Sequence, residues 1–185
     1  MNKNDLVKRQ KEVLNNIYEA FQENNVTAAM APGEEVGSTD MLLVQHTELG
    51  KDIDEVLGAY YFLPAPEEIG SFQYFAATLT LSEEIPKSAQ EKLAAAVAAI
   101  NSLIYFGTFN LSPDGTVLSY RHVTVIPDET DERIMSLTVQ GTMMNAISEV
   151  SIWADELDAL QYGKISYEQF LGYCEEFLNA AAKTK

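Results

Sequence analysis

The chain has one cysteine and two histidines in 185 residues, and only 12 Lys and Arg against 28 Asp and Glu. A lone thiol, Cys174, excludes an intramolecular disulfide and any zinc site built on cysteines. The shortage of basic residues leaves a formal net charge of −16. The nearest approach to a basic stripe, Lys8, Arg9 and Lys11, is diluted by Asp5 and Glu12. Such a surface repels phosphate backbones and anionic lipid, so neither nucleic acid nor membrane is an expected partner. No apolar run approaches the roughly 18 residues of a membrane span. The N-terminal lysines are not followed by the apolar stretch of a signal peptide, and the expected address is the cytoplasm. Gly-x-Gly-x-x-Gly, Walker A and Gly-x-Ser-x-Gly sequences are also missing. No cofactor is expected.

What is present is ordinary globular material. The hydrophobic fraction is 46%, enough for a sizeable core, and the length suits one domain across residues 1–185. Residues 5–24 read as an amphipathic helix with Leu6, Val13, Leu14, Ile17, Tyr18 and Phe21 on one face, stopped at Asn24 or Asn25. Ala31, Pro32, Gly33, Glu34 and Glu35 read as a turn. Strands are expected over 41–47, 55–63 and 72–81, the last alternating cleanly, with short connections at 50–52 and 64–70 that suit antiparallel neighbours. A slim, Ala-rich helix spans 87–103, with Pro86 at its first turn, Ser88 and Glu91 as a capping box, and Ala89, Leu93, Val97, Ile100 and Leu103 or Ile104 as its stripe.

A hairpin follows. Residues 104–111 and 116–126 are its strands, and Ser112-Pro113-Asp114-Gly115 is a type I turn closed by a left-handed glycine. Residues 131–161 read as a long helix whose apolar face carries Ile134, Leu137, Met144, Ile147, Val150 or Ile152, Trp153 and Leu157, with Gly141 weakening its middle. A last helix over 166–183 starts from a Ser166–Gln169 capping box. The predicted fold is α+β, an antiparallel five-stranded sheet with helices packed on it, in the order α-β-β-β-α-β-β-α-α. Its core covers about residues 5–160, and the helix over 166–183 is an addition.

No set of side chains converges on a reaction. Residues 158–169 imitate an EF-hand in outline, with Gly163 and Ile165 at the sixth and eighth positions. Leu160, Tyr162 and Gln169 stand where calcium needs oxygen ligands, so the segment reads as a plain helix–turn–helix. His46 and His122 lie on strands without metal-ligand spacing. Arg121 and His122 point to opposite faces of their strand. Cys174 falls on the apolar face of the last helix, where a thiol is inert. The carboxylate pairs Glu34-Glu35, Glu67-Glu68, Glu83-Glu84 and Glu175-Glu176 read as solvated charge. The catalytic and metal residues are therefore none, and no enzymatic activity is expected. Aromatic residues crowd the second and third expected strands on both faces, and Tyr60, Phe62, Phe72 and Tyr74 are the candidates for a protein-binding surface.

The element order, with the Ser112–Gly115 hairpin followed by Tyr120-Arg121-His122-Val123 and a long amphipathic helix, resembles the bacterial YbjN-like family over about residues 5–160. That family is similar in fold to the type III secretion chaperones. The resemblance implies a small acidic cytosolic protein that binds another polypeptide and does no chemistry. It also implies a homodimer formed through the middle helix and the strand after it, for which Leu93, Val97, Ile100, Ile104 and Phe106 are the candidate contacts. Two other readings remain open at this level. One is an acidic inhibitor or immunity-type protein that blocks a basic target. The other is a small-ligand-binding or enzymatic domain whose pocket between helix and sheet holds His46, His122 or Arg121.

Overall fold

The computed structural model describes residues 3–33, 39–47, 49–51, 53, 55–64 and 71–183. Glu34 and Glu35 of the expected turn, Asp52, and most of the 64–70 connection with Glu67-Glu68 lie outside the described residues.

The first helix, α1 (Lys3–Glu23), buries Val13, Leu14 and Ile17. It ends where Asn25 takes a left-handed φ of 57° and the Val26 N–H closes back on the Phe21 carbonyl at 2.9 Å. Four strands follow: β1 (Ala28–Ala31), β2 (Met41–Thr47), β3 (Glu55–Leu63) and β4 (Phe72–Ser82). Then come α2 (Lys87–Asn101), the hairpin of β5 (Thr108–Leu111) and β6 (Leu118–Pro127), α3 (Glu132–Gln161) and α4 (Tyr167–Lys183). The sheet has six strands in the order β1-β2-β3-β4-β6-β5, every neighbouring pair antiparallel.

The sixth strand corrects the expectation of five. Ala28–Ala31 has little strand propensity of its own, and its ladder to β2 is what makes it a strand. Ala31, expected in a turn, is its last residue. The expected strand over 104–111 is also shorter. Residues 104–107 bend away from the sheet, Gly107 adopts a φ of 63°, and the ladder begins only at Thr108. The turn between β5 and β6 is as expected, with the Gly115 N–H on the Ser112 carbonyl at 2.8 Å and Gly115 at a φ of 73°. The Ser166–Gln169 capping box forms with bonds of 2.8 and 3.2 Å. The Ser88–Glu91 box does not, because α2 starts at Lys87 with Pro86 as its cap residue and no side-chain cap bond.

The inner face of the sheet is built from alternate residues, among them Leu42 and Val44, Tyr60 and Phe62, Phe75, Ala77 and Leu79, and Tyr120 and Ile126. Against it lies α3, which buries Met135, Val139, Met143, Ala146, Val150, Trp153 and Leu157. This reverses the expected face of its first half. Ile134, Leu137 and Met144 point to solvent at 57%, 59% and 60% exposure. Apolar residues lie on both sides of these turns, and the helical period alone cannot choose between them. A hydrogen bond of 2.8 Å between the Thr142 and Thr124 hydroxyls sets the helix over β6.

Gly58 on β3 faces the core beneath a polar pair. A Cβ there would stand 2.7 Å from His46 Nε2 and 2.8 Å from Tyr60 Oη, whereas one on Gly141 of α3 would meet nothing within 4 Å. Gly58→Ala should therefore cost about 1–3 kcal/mol through overpacking. Gly141→Ala should stabilise by up to about 1 kcal/mol through helix propensity. Urea unfolding of the two variants reads both signs.

Candidate functional site

The helices pack on one side of the sheet, and among the described residues none lies on the other side. That outer face displays Leu57, Ala59 and Tyr61 of β3, Phe72 and Tyr74 of β4, and Val123 and Val125 of β6, with Ala76 of β4 buried beneath its neighbours. Register places them in rows. Leu63, Tyr74 and Val125 form one, and Met41, Tyr61, Ala76 and Val123 the next. Phe72 is 42% exposed and Val125 52%. The charged strand residues on this face are Glu55 and Arg121, on a chain of net charge −16.

The same face runs out to an open strand edge. β5 ends opposite Arg121, so among the described residues β6 has no neighbour on that side beyond this point. The Asp128 N–H bonds to the Ser71 carbonyl at 2.9 Å, which continues the β4–β6 ladder. By the alternation of an antiparallel pair, His122, Thr124 and Ile126 then bond to β4. The backbone groups of Val123 and Val125 point outward along the open edge. The segment His122–Pro127 is uncharged and rich in β-branched residues, the composition of an edge that accepts another strand.

Of the expected binding residues, Phe72 and Tyr74 lie on this face. Tyr60 and Phe62 do not. They are 0% and 1% exposed, because their parity on β3 points them under the helices, where Phe62 packs on Phe75 with ring centroids 5.2 Å apart. Two of the expected dimer contacts are corrected in the same way: Leu93 and Ile100 are fully buried within the chain, whereas Val97 and Ile104 are only partly buried against the same core. A buried side chain has no surface to offer a second copy. Phe106 is exposed and stacks on the His122 ring at 5.6 Å. The outward positions of Val123 and Val125 were missed, since strand alternation shows two faces without saying which is covered.

The two histidines are far from equivalent. His122 is nearly buried; its Nε2 faces the Thr124 hydroxyl at 3.5 Å, and its Nδ1 has no partner. Arg121 stands on the opposite, exposed face, as alternation requires. His46 is half-buried, and its Nε2 lies 2.6 Å from the Tyr60 hydroxyl. The Tyr60 O–H is buried with Nε2 as its hydrogen-bond neighbour and is left unpaired unless it donates, which favours Nε2 as the acceptor and the His46 proton on Nδ1. Cys174 is buried, and burial raises its thiol pKa. Residues 158–169 form a helix–turn–helix closed by an ion pair of 2.9 Å between Lys164 and Asp158. Among the described residues no three His, Cys, Asp or Glu side chains gather as metal ligands would. No described helix is long and apolar enough to cross a membrane.

No protein-family model matches the chain, and no curated protein does. Among solved structures the chain is similar to YbjN, a candidate transcription regulator from E. coli, at 13% identity and a TM-score of 0.45 over 77% of this chain and 92% of that one. It is also similar to an uncharacterized protein from Methanothermobacter thermautotrophicus, at 11% identity and a TM-score of 0.37 over 78% of this chain and 99% of that one.

Burial lowers the pKa of both His46 and His122 from the ordinary 6.5. A depressed folded-state value means that the unfolded chain binds protons first as the pH falls. The stability held above about pH 6.5 is then lost progressively below it. Thermal unfolding should show a falling midpoint over this window, and His46→Phe should flatten part of the slope. Carboxylate protonation sets in only below about pH 5.

Proposed function

We propose that the chain is a non-enzymatic protein-binding module that takes a segment of another polypeptide on the outer face of its sheet. The observation that carries this reading is the apolar, nearly uncharged face itself, left bare by the helices and ending on the unpaired edge of β6. An extended segment laid along His122–Pro127 can bond to the outward backbone groups of Val123 and Val125. Its alternate side chains would then extend the rows that contain Tyr74 and Tyr61. The chain's net charge is −16, and the strand residues of this face add only Glu55 and Arg121 to it, so a partner without strong positive charge meets little repulsion here. The YbjN-like and secretion-chaperone-like character belongs to this proposal, as does the homodimer, in which a second copy supplies the segment.

The test is affinity capture from the native host's lysate at low and high salt, with wild-type chain and with a Phe72→Ser, Val125→Lys variant. Both changes are solvent-facing and should leave the unfolding midpoint within a few degrees of wild type. A partner held by the wild type at high salt and lost at least tenfold by the variant is the expected result. Identical capture by the two proteins would sink the proposal. A partner held only at low salt would favour the acidic-inhibitor reading. Sedimentation equilibrium of both proteins reads whether self-association uses the same face.

A further inference from the structure

A cleft of about 350 Å³ separates α1 from α3 on the inner side of the sheet, away from the outer face discussed above. α1 packs over β1 and β2 and α3 over β4 and β6, the two helices also touch each other, and the cleft lies along this seam. Ile17, Phe21, Val26, Met143, Met144 and Ile147 line the walls, and Asn16, Ser136 and Gln140 give an uncharged polar rim.

At the base of this apolar space stands one oriented polar group. His46 lines the cleft, and its ring is held by the Tyr60 hydroxyl through Nε2 and by an edge-on contact with the Tyr60 ring at 5.9 Å. The room for this pair exists only because position 58 is glycine. Nδ1 is therefore a fixed N–H donor. It is absent from the fully buried unpaired atoms and has no hydrogen-bond partner among the described residues, so it reaches accessible space.

We propose that the cleft is a binding site for a small, uncharged, largely apolar molecule carrying one hydrogen-bond acceptor, such as a ketone, with the acceptor on His46 Nδ1–H and the apolar body between α1 and α3. The volume falls in the range of small-molecule sites. The lining carries no lysine or arginine to pair with an anion, and the chain's net charge of −16 opposes one. A pure hydrocarbon would cover the imidazole N–H and leave it unpaired. This site is independent of the outer sheet face, and either can fail without the other.

The test uses three probes with one ring system: 2-acetylnaphthalene, naphthalene and 2-naphthoate. Their binding to the full chain is followed by fluorescence titration, together with the nitrogen-15 spectrum of the His46 ring. The ketone is expected to bind about tenfold tighter than the hydrocarbon, the gain of one hydrogen bond, and tighter still than the carboxylate. It should also shift the Nδ1 signal at saturation. His46→Phe should bring the ketone down to the hydrocarbon's affinity, and Ala20→Phe at the cleft mouth should weaken all three. Equal binding of ketone and hydrocarbon, a preference for the carboxylate, or an Nδ1 signal unmoved in the wild-type protein overturns the proposal. The last readout needs no variant to fold.

Discussion

The packing of α3 along β4 and β6 is the contact on which the rest of the structure depends. Its 30 residues bury a continuous row from Met135 to Leu157 against the inward side chains of these two strands. Each large apolar side chain so buried is worth about 1.5–3 kcal/mol. Trp153 extends the layer outward, with its ring 6.3 and 5.2 Å from those of Phe170 and Phe177 on α4. α4 therefore stacks on the helix layer and leaves the outer face of the sheet untouched.

Two consequences follow from having the described helices on one side. The outer face, with Phe72, Tyr74, Val123 and Val125, is left for solvent or for another molecule. On the inner face, α1 and α3 leave a cleft along their seam with His46 of β2 in its lining, held from beneath by the buried Tyr60. A bare apolar face is costly in water, and so is an oriented donor under an apolar roof. Each marks a place where the fold is incomplete by itself. The proposals for them differ accordingly: a polypeptide on the broad face and strand edge, and a small molecule in the narrow cleft.

The electrostatics reinforce this division. Most of the negative charge sits on helix exteriors and connections, while the outer sheet face carries only Glu55 and Arg121 among its strand residues and the cleft lining carries none. Charge on the remaining surface repels like-charged neighbours. The recognition proposed at either place would then rest on apolar contact and on a few hydrogen bonds.

The elements themselves were legible in the sequence because they rest on local physics. The alternation of residues 72–81, the Ser112–Gly115 turn, the Asn25 stop and the Ser166–Gln169 cap are short-range patterns that backbone geometry enforces. The side of each element that is buried was not legible. Tyr60 and Tyr61 are neighbours of equal hydrophobicity on opposite faces, and Ile134 and Met135 are neighbours on opposite sides of α3. Only the docking of the helix layer made Tyr60 and Met135 core and left Ile134 exposed. The strand at Ala28–Ala31 existed only once β2 was there to pair with it. His46 was visible as a residue, but the cleft above it is formed by two helices that pack on different strands. The sequence by itself determined where the chain turns, coils and extends, since those preferences act over a few residues. The tertiary structure alone decided which surfaces remain open, because exposure depends on which distant elements meet.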